Sequence, residues 1–148
     1  MYTCENIVSR FRDRKRSANM VLCGTDCYAD AQSRGNIKSP FDGNVVCGFD
    51  TMEYMLDNTF SKLGIDTDRV DHPLLLTEPL CNPEYSRGQM NELLFEAYQV
   101  QSVNYGLDAL FSAYANNVRD NGLVVSAGRF KVWGGGGCGG RILGLAGI

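Results

Sequence analysis

The chain has 148 residues, 44% of them hydrophobic and 21% charged, which suffices for one modest globular core and excludes two substantial ones. Its net charge of -3 is unevenly spread: seven basic and four acidic side chains in residues 1–38, four and thirteen in residues 39–128, three and none in residues 129–148. A weakly basic head on an acidic body excludes a surface that coats nucleic acid along its whole length, because neutralising phosphates needs clustered cations across the contact face.

The head carries the densest cationic run of the chain, Arg10, Arg12, Arg14, Lys15 and Arg16, interrupted by Phe11 and Asp13. Two readings stand side by side: a nuclear-targeting or chromatin contact, or the solvated face of a strand or loop. Val21 to Cys23 follows as a short strand, and the polar, glycine-containing stretch from Asp30 to Ser39 reads as a loop. The first well-marked element opens at Asp50, which can cap a helix while Glu53 reaches back to it. Met52, Met55, Leu56, Phe60 and Leu63 recur at helical spacing, and Gly64 supplies a left-handed stop, giving an amphipathic helix of about thirteen residues.

Pro73 to Thr77 is an apolar run before the Glu78-Pro79 turn and reads as a strand buried on both faces. Asn82-Pro83 is a cap with a first-turn proline, and the helix behind it gathers Met90, Leu93, Leu94, Ala97 and Tyr98 on one face, with Asn91, Glu92 and Glu96 on the other. Val103 to Leu107 makes a second strand, Asp108 to Tyr114 a short helix, and Gly122 to Val125 a third strand after a polar turn. Strands alternating with helices are the pattern of a mostly parallel sheet with helices on its faces, so the fold class is α/β.

After Gly128 the character changes. Eight of the 17 glycines fall in the last 20 residues, where an even spread gives about two. Such a run loses too much backbone entropy to hold regular structure by itself, so residues 129–148 are expected to form a disordered tail behind a domain over residues 1–128. Gly134 to Gly140 does not read as a phosphate-binding loop, since it lacks the GK[ST] ending and a capped helix behind it.

Six cysteines, Cys4, Cys23, Cys27, Cys47, Cys81 and Cys138, follow no recognisable secretory leader, so free thiols in a reducing compartment are expected. The Cys23 to Cys27 spacing is half of a metal site, but no second cysteine pair follows and His72 lies far along the chain, so no metal is expected. No stretch approaches the roughly 20 apolar residues of a membrane span, so a soluble chain without membrane contact is expected. One histidine without a cysteine or serine motif gives no nucleophile and base pair.

Two segments carry a family pattern. Asp71-His72-Pro73-Leu74-Leu75-Leu76-Thr77-Glu78, then Asn82-Pro83 and Arg87 through Met90-Asn91-Glu92-Leu93-Leu94-Phe95-Glu96, resemble the actin-family stretch in which a buried strand ends at a Thr-Glu turn and an Asn-Pro-capped helix ends in Phe-Glu. The resemblance extends over about residues 8–128, where Ser39-Pro40-Phe41-Asp42-Gly43-Asn44 and Tyr105-Gly106-Leu107-Asp108-Ala109-Leu110 are closer to actin-related proteins than to conventional actin. It implies part of the first lobe of an actin and ribonuclease-H-like fold; from Arg129 the glycine-rich tail is expected to depart from the family, which continues there into a β-hairpin.

The resemblance also sets an enzymatic reading against residues. Actin-type hydrolysis uses two glycine-rich phosphate loops, metal-facing carboxylates and a water-orienting glutamine. By family position the first loop would precede Met1, Ser126 stands at the metal-facing aspartate, Asp108 at the glutamine, and Gly128 in the second loop. These are vestigial nucleotide-cleft positions, and for Asp108 the preferred reading is a helix N-cap after the Val103 to Leu107 strand. The implied role is a non-catalytic actin-related subunit of a chromatin-remodelling complex of the INO-eighty type. Such a subunit binds other protein subunits and meets the nucleosome indirectly or through the basic head, in nuclear transcription regulation and DNA repair, with no cofactor. The alternatives are an actin-like ATP-binding cytoskeletal protein, or a truncated product without independent function.

Overall fold

The computed structural model describes residues 2–13, 17–67, 69–117, 121–127, 132–138 and 141–146; over the last three segments the description is of backbone pairing. The chain opens with the antiparallel hairpin β1 (Val8–Asp13) and β2 (Ala18–Cys23), in which Phe11 faces Met20, and β3 (Ile37–Lys38) pairs with the other side of β1. A 3-10 turn (Gly24–Tyr28) and the short helix α1 (Ala31–Arg34) fold back onto this sheet. The expected loop from Asp30 to Ser39 is thus replaced by α1 and β3. The reason is a chain of buried hydroxyls: Ser9 Oγ donates to the Ser33 carbonyl at 2.6 Å, and Ser33 Oγ donates to the Cys27 carbonyl at 2.7 Å. Each buried polar atom has a partner, so burial carries no desolvation penalty left unmet.

A small hairpin, β4 (Phe41–Asp42) and β5 (Val45–Val46), turns at Gly43, whose φ of +61° is a conformation that suits glycine. It leads into α2 (Phe49–Lys62). This helix starts before Asp50: the Pro40 carbonyl accepts the N–H groups of both Cys47 and Gly48, which places Gly48 at the cap and Asp50 within the first turn. No side-chain cap bond forms, and Asp50 acts there as a negative charge near the positive helix end. The C-terminus follows expectation, with Gly64 at φ +80°, Ile65 N–H donating to the Phe60 carbonyl and Gly64 N–H to the Ser61 carbonyl.

Next comes a strand–helix–strand crossover. β6 (Leu74–Glu78) is followed by α3 (Glu84–Glu92), which continues into a π-helical turn (Leu93–Ala97), and β7 (Val103–Leu107) then lies parallel to β6, Leu74 beside Val103 and Glu78 beside Leu107. The core sits under this unit and α2: Leu56, Phe60, Val70, Met90, Leu94 and Val100 are buried together, with Leu74, Leu76, Val103 and Tyr105 packed against them. Phe60 and Tyr98 meet edge to face at 5.1 Å. Leu75 departs from the expected two-sided burial. Its side of the strand is open, and it is 61% exposed, because α3 covers only the face of Leu74 and Leu76.

Helix α4 (Asp108–Ala115) then leads to β8 (Asn121–Ala127), β9 (Val132–Cys138) and β10 (Arg141–Ala146), paired antiparallel in the order β10-β9-β8. The class is α/β, as expected, with parallel pairing confined among the described residues to β6 and β7. β8 joins its neighbour along the chain instead of extending that pair, the short connection costing the least closure entropy. Within the segment expected to be a disordered tail, the described residues 132–138 and 141–146 are paired as strands, and the rest of it lies outside the described residues. Gly134 to Gly137 lie in the middle strand, where two flanking ladders supply the hydrogen bonds that a lone glycine run cannot make for itself. Among the described residues no helix is long and apolar enough to cross a membrane.

Candidate functional site

Parallel strands in α/β folds gather ligands beyond their carboxyl ends. Here those ends are Glu78 and Leu107, side by side, followed by Pro79 and by Asp108 at the start of α4. The β4–β5 turn at Gly43 and Asn44, with Ser39, Phe41 and Asn6, closes the other side, enclosing with Thr77 a cleft of about 360 Å³.

Glu78 is 8% exposed and forms the floor. Arg87 Nε donates to its Oε2 at 3.1 Å, Arg87 Nη2 donates to Oε1, and Asn82 Nδ2 donates to Oε2 at 3.0 Å. Burial alone would raise the Glu78 carboxyl, but the hydrogen bonds from Arg87 and Asn82 and the Arg87 charge outweigh it and hold the carboxyl below its ordinary range. The Arg87 guanidinium also lies over the Tyr105 ring at 5.7 Å, and Tyr105 Oη donates to Asn91 Oδ1 at 2.6 Å. Burial and the nearby Glu78 charge push the Tyr105 phenol up. Asn82 therefore serves Glu78 instead of capping α3, where Pro83 takes the cap position.

Asp108 is the first residue of α4 and not its expected cap, a position that Leu107 takes, and its Oδ1 accepts the Ala109 N–H at 2.7 Å. Its side chain is exposed at the edge of the cleft, and among the described residues no cation pairs with it. Gly106, two residues earlier, is held open for α4: a Cβ there would lie 2.0 Å from Phe111 Cε2. Ser126 lies in β8 opposite Trp133 in register, while Gly128 is outside the described residues. The three vestigial positions are thus represented in the cleft by Asp108.

In the basic head, Arg10 and Arg12 alternate onto one exposed face of β1, with Asn19 and Val21 across the hairpin. The Arg10 guanidinium lies 5.9 Å from the centre of the Tyr54 ring on α2. Arg14, Lys15 and Arg16 are outside the described residues. The head and the cleft use different elements and form two separate features. Cys4, Cys23, Cys27, Cys47 and Cys81 are free thiols, and burial pushes the Cys23 thiol up to about 11.

The family model described as Actin matches residues 1–132. The chain belongs to the actin family. Among its relatives, Actin-like protein arp5 of Schizosaccharomyces pombe is 50% identical over 125 residues, covering 84% of this chain and 17% of its own length. Actin-related protein 5 of Gallus gallus is 45% identical over 109 residues, covering 71% and 18%. Actin-related protein 5 of Homo sapiens is 40% identical over 126 residues, covering 82% and 21%. This actin-family chain therefore spans about a fifth of the length of the curated relatives it matches. The family match reaches Val132, past the point where the composition turns glycine-rich and into β9.

The sequence pointed to Asp108 but not to its neighbours in the cleft. Glu78 and Arg87 stand nine residues apart across the β6–α3 connection, a spacing no helix or strand period selects. Thr77-Glu78 followed by Asn82 and Arg87 was the available signal, and it belonged to the family pattern.

Proposed function

We propose that this chain is part of a non-catalytic actin-related subunit of a chromatin-remodelling complex of the INO-eighty type. In this reading it acts in the nucleus, in nucleosome remodelling, transcription regulation and DNA repair, through other protein subunits and without a nucleotide cofactor. The observation that carries the reading is Asp108: an exposed carboxylate, free of any cation among the described residues, stands in the cleft at the family position of the water-orienting glutamine. An amide there both donates and accepts hydrogen bonds, whereas a carboxylate repels a triphosphate and cannot donate to it. No lysine or arginine is among the described residues that line the cleft. The relatives, named Actin-like protein arp5 and Actin-related protein 5, support the actin-related part of the reading.

Calorimetric titration of the chain with magnesium ATP tests the reading directly. Heats indistinguishable from dilution are expected, and a micromolar dissociation constant would sink it. The nuclear part has its own test, in the full-length context: replacing Arg10, Arg12, Arg14, Lys15 and Arg16 by serine, then measuring nuclear fraction and nucleosome affinity against salt. Lost nuclear entry at unchanged affinity identifies a targeting signal. A shallower salt slope with normal localisation identifies a chromatin contact. No change in either leaves the run as a solvated face.

A further inference from the structure

We infer that the cleft bounded by Phe41, Asn44, Thr77, Glu78 and Asp108 is a receptor for an arginine side chain presented by a partner protein. The inference rests on the reading of this cleft as one that holds no nucleotide, and it gives the space a different occupant.

Charge excludes an anion first. Glu78 is neutralised from behind by Arg87, so its charge is spent, while Asp108 meets no cation among the described residues and leaves the cleft with an unbalanced negative charge. The ligand that complements this is a cation. The remaining walls choose among cations. Phe41, a half-buried aromatic side chain, and Pro79 are apolar members of the lining, and Asn6 and Asn44 add exposed amides to it. A guanidinium uses all of these: its plane stacks on an aromatic face, its five donors match amide, hydroxyl and carboxylate oxygens, and its apolar stem follows the Phe41 and Pro79 walls. An ammonium is a compact point charge that makes less of an aromatic wall.

The experiment titrates the full 148-residue chain with an end-blocked glycine peptide bearing one arginine, followed by NMR, alongside its citrulline and lysine counterparts. Citrulline keeps the shape and removes the charge. The expected result is saturable shifts confined to residues around the cleft, for arginine alone at low concentration. Asp108→Asn should weaken binding about tenfold, the loss of one charge-assisted contact, and Phe41→Leu should weaken it without changing the chain's circular dichroism. Equal binding of the citrulline peptide, an unchanged affinity in Asp108→Asn, a preference for lysine, or no shifts at millimolar peptide would each overturn the inference. None of these outcomes touches the proposed function, whose own tests are magnesium ATP binding and the basic-head replacement.

Discussion

Arg87 grips Glu78 with two nitrogens, Nε on Oε2 at 3.1 Å and Nη2 on Oε1, and so ties the first turn of α3 back to the last residue of β6. The pair bridges the connection that turns the chain from strand to helix, with Asn82 from the connection itself as a third member. Because Glu78 is 8% exposed while Arg87 is in part solvated, the carboxylate is the member whose loss is felt most. Glu78→Ala should lower stability by about 2 kcal/mol, the scale of hydrogen bonds to a buried charge. A shift of the urea midpoint at constant slope is the measurement.

The same pair sets a pH dependence whose sign is fixed. The folded-state carboxyl of Glu78 lies below its ordinary value, so the stability it adds is fully present above the unfolded value and is lost as the pH falls through the folded one. Glu78→Gln, which imitates the protonated acid, should therefore trail the parent chain at neutral pH and converge with it in acid. A gap that persists or widens in acid would contradict the assignment.

Gly106 and Phe111 make a steric lock. A Cβ at Gly106 would stand 2.0 Å from Phe111 Cε2 and 2.6 Å from Cζ, so the ring must leave its place over β7 if residue 106 gains a side chain. Gly106→Ala should destabilise by about 2 kcal/mol, the usual scale of overpacking. The double variant Gly106→Ala/Phe111→Ala should regain part of that loss, giving a coupling term that independent sites would lack. Simple additivity of the two changes would remove the lock.

How much of this was legible in the sequence follows from what each residue answers to. Val103–Leu107 was read with its observed ends because local chemistry closes it on both sides, and Gly64 stopped α2 because a left-handed C-terminus is a local property. Asp50 and Asn82 have the residue types of caps but do not cap, because distant groups intervene: the Pro40 carbonyl takes the N–H groups before α2, and Glu78 takes the Asn82 amide. The two-residue strands β3, β4 and β5 are shorter than any period that reveals a strand. Asp108 came from the family pattern, whereas the cleft around it draws on residues from Asn6 onward and appears only once the chain is folded.

Core and surface leucines in the crossover unit should respond in opposite ways. Leu94 is fully buried in the cluster with Phe60, Val70 and Met90, whereas Leu75 is 61% exposed on the open face of β6. Leu94→Ala should cost about 3 kcal/mol through lost burial and the cavity left behind. Leu75→Ala should stay within about 0.5 kcal/mol in stability, as surface changes do. Comparable losses at the two positions in thermal unfolding would mean that the open face of β6 is covered.

Deleting residues 129–148 tests the glycine-rich strands. β9 is the middle strand of its sheet and gives β8 its pairing partner over Asn121–Ala127, so its removal strips the β8 backbone of a whole ladder of hydrogen bonds. Among the described residues the cluster around Leu94 draws on residues from Val46 to Tyr105. Amide exchange in the truncated chain should therefore accelerate across residues 121–127 while Leu94 and Val100 keep their protection. Fast exchange at residues 121–127 already in the intact chain would show that the β8–β9 ladder adds no protection. A loss of protection at Leu94 would show that the strands support the core as well. The result expected is the separable one, because the ladder to β9 pairs residues 121–127 while the cluster that protects Leu94 and Val100 is built among residues 46–105.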